Sequence, residues 1–372
     1  MKPTLSFTLG GNIRRARQDR TPLLINYISV ALLTLTLSAC STAKFYRQAV
    51  AGQWRILADR KPVATLLADP LTDPRLRERL KLTQDLRTFA EQELNLPSGK
   101  AYATYTDLHR PHVAWVVFAA PEFSTKPYQW QYPIFGKLDY RGYFKEADAR
   151  ECLRSLKAQG LETAVGGVDA YSSLGYFNDP LLNTFIHDPE PDLAELLFHE
   201  LTHRKVFLSG DTEFNEAFAT ATGQEGVRRW LRSRQRWDDL RKYEKSCEQE
   251  RRFARALLET KRQLEEIYQQ PLSKTLMRER KQSLLKALGN TIRHMPELAG
   301  HKGYAKWATQ PINHARMNTV SAYHRLVPAF QHLLAICHGD LSLFYEKVAA
   351  MKSLSQPERR AALEAPDQPV PP

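Results

Sequence analysis

The sequence predicts an α+β fold that is predominantly helical, with a small β-sheet and a long helical hairpin. Two stretches, residues 44–100 and the chain from about Asp192 onward, carry apolar residues at helical spacing. A β-rich stretch lies between them, with a helix expected around residues 148–159. Its segments of strand composition are 113–118, 128–135 and 162–168. Three strands with interspersed helices predict a small sheet packed on a helical body.

A strongly charged helical pattern over residues 224–290 predicts the hairpin. Leu257, Leu264 and Tyr268 recur among polar residues at helical spacing, and Pro271 lies where the first helix would end. Two interpretations stay open for this arm, placed at about residues 231–290. It could bind a partner, or it could be a solvated helix pair packed on its own domain, which we favour.

Composition and charge describe an ordinary globular protein with a basic surface. Of the 372 residues, 42% are hydrophobic and 25% charged, with a formal net charge of +12. Such a charge favours anionic surfaces, including phospholipid head groups. Nucleic acid is not expected as a partner, because the sequence lacks zinc-finger spacing, an RNA-binding aromatic signature and a glycine-rich phosphate loop.

The N-terminal segment has the features of an export signal. The apolar run at residues 23–37 has the length of a signal-peptide core and is short for a membrane span of about 20 residues. The following Leu37-Ser38-Ala39-Cys40 resembles the lipobox of bacterial lipoproteins. That resemblance implies that residues 1–39 are removed and that Cys40 carries the lipid. An uncleaved N-terminal anchor helix is the alternative, and either interpretation places the remaining chain outside the cytoplasm.

These assignments predict the domain organisation and the cellular location. Residues 40–355 would form one folded domain, and the five prolines within residues 356–372 predict a disordered tail. Ser41 after the lipobox implies retention at the outer membrane, facing the periplasm. Three cysteines remain in such a mature chain, which permits one disulfide without selecting the pair; buried unpaired thiols are the alternative. These cysteines are Cys152, Cys247 and Cys337.

The HExxH motif at residues 199–203 carries the strongest chemical signal. On a helix, residues four apart lie one turn above each other, so His199 and His203 would present two imidazole nitrogens to one metal ion. Asp192 is a plausible N-cap for this helix. Glu200 would be the general base. The alternative without a function is a pair of helix histidines beside a surface glutamate.

A second helix is expected to supply a third ligand, Glu216. Gly210 and Asp211 predict a helix stop followed by a cap, and twelve residues between His203 and Glu216 allow a turn and a return helix. Two histidines and one glutamate meet the requirement of catalytic zinc for three protein ligands. Asp211 and Asn215 are candidates for contacts that orient the ligands, although helix capping is the simpler role for Asp211.

Several blocks resemble known metallopeptidases. Asn215-Glu216-Ala217-Phe218-Ala219 is similar to the third-ligand helix of gluzincins, and a closer resemblance is to bacterial envelope lipoproteins described as "putative aminopeptidases". The blocks of that closer resemblance are 140–144, 170–177, 179–182, 199–205 with 210–220, and 313–316 before Tyr323. The resemblance implies a zincin-like zinc metallopeptidase that hydrolyses peptides, with a downstream tyrosine donating to the oxyanion. Tyr323 is the candidate; a packed helix aromatic is its alternative.

Residues 166–177 are the expected substrate-binding segment. Zinc peptidases lay an extended substrate along an edge strand, and the glycines here permit close backbone approach. Tyr171, Gly175 and Tyr176 are the candidate substrate contacts, although aromatics beside strands are more often core. The sequence does not identify the acidic group that an aminopeptidase needs for the substrate ammonium. An endopeptidase and a non-catalytic lipoprotein that binds through its basic helical arm are the alternative functions.

Overall fold

The computed structural model describes residues 45–132, 136–170, 178–298 and 302–365. The chain divides into two compact units, residues 1–50 and 51–372. The features below belong to the second unit, except residues 45–50 of the first helix. The predicted signal peptide and Cys40 lie outside the described residues.

The described helices and strands alternate in the first half of the chain, and helices follow in the second half. The helices are α1 (residues 45–58), α2 (Val63–Ala68), α3 (Pro74–Gln92), α4 (Glu146–Ala158), α5 (Glu190–Lys205), α6 (Thr212–Ser233), α7 (Trp237–Tyr268), α8 (Lys274–His294), α9 (Lys302–Thr309), α10 (His314–His324), α11 (Val327–Ile336), α12 (Leu341–Ala350) and α13 (Gln356–Glu364). The strands are β1 (Lys61–Pro62), β2 (Thr104–Thr106), β3 (Ala114–Ala120), β4 (Trp130–Tyr132), β5 (Gly136–Leu138), β6 (Tyr140–Tyr143), β7 (Glu162–Val168) and β8 (Leu181–Leu182).

Among the described residues the strands form three small sheets. The largest is antiparallel in the order β6-β3-β7, with Val116 opposite Gly142 on one side and Gly166 on the other. A second sheet has the order β1-β2-β8, with β2 and β8 parallel, and the third is the hairpin of β4 and β5. This architecture confirms the predicted α+β, predominantly helical class.

Two hydrophobic clusters hold the helices together. The larger one lies around α3, α5, α6, α11 and α12. Its fully buried large side chains include Phe198, Phe214, Phe218, Trp230 and Phe330. The smaller cluster joins α7, α8, α9 and α10. Burial of each such side chain contributes roughly 1.5–3 kcal/mol to folding.

Helices α5 and α6 pack closely because α6 carries glycines on the contacting face. A Cβ on Gly223 would lie 3.0 Å from the carbonyl oxygen of Glu195, which is backbone and cannot turn aside. A Cβ on Gly226 would lie 2.6 Å from the ring of Phe198. The two backbones therefore approach more closely than helices bearing larger residues would allow.

The predicted hairpin is present as α7 and α8, joined by residues 269–273 around Pro271. Its apolar residues pack into the smaller cluster, and polar contacts attach it to the rest of the domain. Lys281 on α8 donates to the carbonyl oxygen of Glu122 at 2.6 Å and pairs with Glu162 on β7. The hairpin is therefore a helix pair packed on its own domain.

The C-terminal tail differs from its prediction over residues 356–364. Instead of being disordered, these residues form α13, which begins with a capping box between Ser355 and Glu358. Leu363 is buried, and Arg359 and Arg360 pair with an aspartate of the body. The proline content suggested disorder, but Pro357 lies in the first turn of the helix, where proline is tolerated.

The described residues also bear on the cysteines and on membrane spans. Cys152, Cys247 and Cys337 are all free thiols, and the last two are buried. The alternative of buried unpaired cysteine therefore describes this pair, and the permitted disulfide is not formed. No helix in the described part of the chain is long and apolar enough to cross a membrane.

Candidate metal centre

The HExxH motif lies near the C-terminal end of α5. This helix begins at Glu190, with Pro189 as its N-cap residue, three residues before the predicted cap Asp192. Pro191 lies in the first turn, where proline is favoured. Asp192 therefore lies within the first turn, where a carboxylate interacts favourably with the positive end of the helix dipole. His199 and His203 follow on one face, one turn apart, as their spacing predicts.

Asn215 shapes the turn that brings α6 back to α5. Its side-chain oxygen accepts from the backbone N–H of Leu208 at 2.9 Å, and its amide donates to the Leu208 carbonyl at 2.7 Å. Both groups of this buried amide are therefore used to hold the loop. Asn215 therefore holds the loop before α6, and its role as a residue that orients the ligands stays a prediction.

Asp211 is the N-cap residue of α6. Its Oδ1 accepts from the backbone N–H of Phe214 at 3.4 Å. The same carboxylate is bound by Arg359 at 2.9 Å and by Arg360 at 2.6 Å, both from α13. These contacts match helix capping, the simpler of the two roles that the sequence offered for Asp211, and its ligand-orienting role stays a prediction.

Three ligand-type atoms from α5 and α6 converge on one point. The Nε2 atoms of His199 and His203 are 3.2 Å apart. Glu216 Oε2 lies 3.2 Å from the Nε2 of His199 and 3.8 Å from that of His203. In tetrahedral zinc sites, ligand bonds of about 2.0–2.1 Å place neighbouring ligand atoms about 3.3 Å apart. The spacing of the three atoms fits such an ion.

Burial and charge tune these groups toward metal binding. Burial alone would raise the pKa of Glu216, but the hydrogen bond from His199 outweighs burial, and the pKa of Glu216 is lowered. Burial lowers the pKa of His203 to about 4, which leaves a neutral imidazole with a lone pair to donate. Burial also lowers the pKa of His199, but nearby carboxylates, led by Glu216, reverse the shift and raise it.

Thr220 is a neighbour of the cluster whose role the sequence did not reveal. Its hydroxyl lies 3.5 Å from Nδ1 of His199, the ring nitrogen that does not face Glu216. A group at this position orients the imidazole. The sequence spacing could have indicated this residue, because Thr220 follows Glu216 by one helical turn on α6 and lies on the same face.

Two acidic side chains lie on the α7 side of α5: the charge of Glu195 acts on His199, and Glu250 of α7 interacts with Glu195. Glu195 precedes His199 by one turn and accepts a hydrogen bond from the Tyr243 hydroxyl at 2.6 Å. Burial raises the pKa of Glu195. Burial, with the charges of Glu195 and Asp192, raises the pKa of Glu250 to about 7. The sequence did not single out this group, because Glu250 comes from a different helix.

Other predicted site residues are only partly described. Tyr323 lies on α10, and its side-chain position is outside the described residues. Tyr171, Gly175 and Tyr176 lie wholly outside them. The first part of the predicted substrate segment forms the end of β7, whose described sheet neighbour is β3 alone. The substrate role of this edge strand stays a prediction.

The fold and the site define a helical α+β protein with a His-His-Glu cluster suited to a metal ion. Residues 44–363 match the family described as "Putative aminopeptidase", and the chain belongs to that family. The family description names a peptidase activity. No curated protein and no solved structure matches the chain.

Proposed function

We propose that this protein is a zinc-dependent aminopeptidase that uses His199, His203 and Glu216 as metal ligands and Glu200 as general base. The observation that carries the proposal is the convergence of the three ligand atoms within 4.8 Å of one another. Membership in a family described as aminopeptidases supports the same conclusion.

The donor set favours zinc among divalent ions. Two imidazole nitrogens and one carboxylate oxygen form the ligand set of catalytic zinc sites that keep a fourth position open for water or substrate. A zinc ion held there would lower the pKa of water toward about 7 and polarise the carbonyl of the scissile bond.

Glu200 would move the proton during hydrolysis. It follows His199 directly on α5, and its charge acts on that histidine. A carboxylate oxygen of Glu200 takes a proton from the attacking water and later delivers it to the nitrogen of the leaving amine. Tyr323 stays the candidate donor to the developing oxyanion by resemblance, because its placement on α10 is known only for the backbone.

The acidic side chains beside His199 favour an aminopeptidase over an endopeptidase. A free substrate amine is a cation, and Glu195, whose charge acts on His199, is the acidic side chain we propose to attract it. An endopeptidase has no need of such a group. Comparing hydrolysis of free and N-acetylated peptides separates the two activities, because acetylation should abolish exopeptidase cleavage only.

The location and the lipid anchor are proposed from the N-terminal sequence. Lipid attachment at Cys40 would hold the enzyme at the bacterial envelope. We propose that it is anchored in the outer membrane and faces the periplasm. The rival function, binding through the basic arm without catalysis, finds less support. The arm uses its apolar residues within its own domain, as Phe253 and Leu264 illustrate.

Metal analysis paired with glutamate variants tests the proposal. Glu216→Gln should lose zinc and activity, whereas Glu225→Gln, a control on the same helix whose carboxylate pairs with Arg229, should keep both. Glu200→Gln should retain zinc and lose peptide turnover by several orders of magnitude. Full turnover in Glu200→Gln, or absence of stoichiometric zinc in the purified wild-type protein, would overturn the proposal.

A further inference from the structure

Phe207 is a large apolar side chain that lies open to water beside the metal cluster. It is 37% exposed, whereas Leu208, the next residue, is buried in the core. The rings of Phe207 and His203 meet edge to face, with their centres 6.3 Å apart and their planes at 80°. A ligand imidazole holds its ion about 3 Å from the ring centre, so the phenyl ring lies within about 10 Å of an ion bound there.

The backbone around Phe207 is fixed on both sides. Before it, the N–H of Val206 closes the end of α5 by donating to the carbonyl of Thr202 at 3.2 Å. After it, Leu208 uses both its N–H and its carbonyl in hydrogen bonds with the side chain of Asn215. The phenyl ring is therefore presented from a held segment, which lowers the entropy cost of a contact with a bound molecule.

The order of groups along α5 gives the direction of a bound peptide. Glu195, the proposed partner of the substrate ammonium, precedes His199 by one turn. Both face α6, since a Cβ on Gly223 would lie 3.4 Å from Glu195 Cγ and 3.4 Å from the backbone nitrogen of His199. Phe207 follows His203 by four residues, at the other end of the cluster. A peptide whose amine lies at Glu195 and whose scissile carbonyl lies at the metal therefore continues toward Phe207.

We infer that Phe207 is a specificity-determining residue, which packs against the side chain of the substrate residue on the leaving side of the cleaved bond and favours an apolar one. This inference rests on the proposed function and names its substrate class, which is peptides with an aromatic or branched aliphatic residue in second position. Such a side chain covers the exposed phenyl ring and removes apolar surface of both partners from water.

The rate of cleavage of peptides Ala-Xaa-Ala, in which only the second residue varies, tests this contact. In wild type, kcat/KM should be at least tenfold higher for phenylalanine or leucine than for glycine in that position. Phe207→Ala should reduce this ratio to about threefold or less, and Phe207→Leu should keep most of it. The loss should appear in KM rather than in kcat, because the contact is made equally in the ground state and the transition state.

Trp237→Ala is the matched control. Trp237 is also an exposed aromatic residue, 52% exposed, at the start of α7. The preceding residue, Arg236, pairs with Glu190 at the end of α5 that is remote from the cluster. Glu190 lies thirteen residues before His203 on this helix, which corresponds to about 20 Å. The ratio of kcat/KM values should therefore stay at its wild-type value in Trp237→Ala.

Inhibitor binding provides a readout besides turnover. A phosphinic dipeptide analogue with a benzyl group in second position should bind wild type at least tenfold more tightly than one with hydrogen there, measured by calorimetry. This difference should shrink to about threefold in Phe207→Ala and persist in Trp237→Ala. Zinc content should match wild type in both variants. Loss of zinc in Phe207→Ala, or equal weakening of both analogues, would mean that the ring only supports His203, and the inference would be wrong.

The remaining outcomes separate this inference from the proposed function. Peptides Xaa-Ala-Ala vary the first residue, and a change of preference there instead of in second position would overturn the inferred direction and the inference with it. If wild type hydrolyses peptides without preferring an apolar second residue, or if Phe207→Ala keeps that preference, the inference alone fails. If wild type neither hydrolyses peptides nor binds the analogues, the proposed function fails and the inference fails with it.

Discussion

Replacing Asp211 by asparagine tests how the structure fixes the start of α6. The Asp211 carboxylate is 1% exposed and contacts two arginines whose side chains are 11% and 14% exposed. Asparagine keeps an oxygen for the cap to the Phe214 N–H but loses the negative charge. Arg359 would then be left without this carboxylate, whereas Arg360 keeps a contact with Glu213 at 3.2 Å.

The expected loss of stability is about 3 kcal/mol. Removing one partner of a buried ion pair costs about 3–5 kcal/mol, because the remaining charge stays buried without compensation. The lower end applies here, because Arg360 retains Glu213 and the cap survives. Against a typical total stability of about 5–15 kcal/mol, the effect is large.

Urea unfolding at pH 7 measures this loss. With an m-value of roughly 3 kcal/mol/M, the midpoint should fall by about 1 M. Asp238→Asn is the control: it also breaks an aspartate–arginine pair, but Asp238 is 79% exposed and Arg241 70% exposed. The control should change stability by less than about 1 kcal/mol. Zinc content should stay at the wild-type level in both variants.

Two results would refute this reasoning. A loss below about 1 kcal/mol in Asp211→Asn would mean that the pairs with Arg359 and Arg360 add little beyond an exposed ion pair. Loss of zinc at an unchanged unfolding midpoint would mean that Asp211 acts mainly by orienting the metal ligands and adds little to stability.

Two further predictions concern packing and pH. Gly223→Ala should weaken zinc binding at least tenfold in a calorimetric titration, because its Cβ would press on the Glu195 carbonyl and shift α6. Gly289→Ala is the control: its Cβ would meet nothing closer than 3.4 Å, so zinc binding should not change. Burial and the charge of Glu195 raise the pKa of Glu250 from 4.5 to about 7, so stability should fall as the pH rises between these values. Glu250→Gln should therefore raise Tm at pH 8 but not at pH 4, and equal shifts at both would contradict this.

Local patterns predicted much of the fold. Strand β7 begins and ends where residue composition placed it, at Glu162–Val168, and α4 was expected within a few residues of its observed bounds. Pro271 lies in the break of the hairpin, as expected from its missing N–H. These features depend on neighbouring residues, so the sequence shows them directly.

The groups around the metal ligands were harder to predict. Asp211 and Asn215 both precede the third ligand in sequence. A polar residue at such a position looks the same in the sequence whether its partner is a histidine, a backbone N–H or an arginine. The structure shows that Asn215 holds the Leu208 loop and that Asp211 meets residues of α13. The partners come from elements whose packing the local pattern does not contain.

The sequence by itself determined the helical spacing that pairs His199 with His203, and the turn that returns Glu216 toward them, because both follow from local helix geometry. Tertiary structure alone decided that α13 covers Asp211 and that Lys281 of α8 pairs with Glu162 of β7. Such contacts join segments distant in the chain, and they form only when the whole core is buried together, so no local period or motif records them.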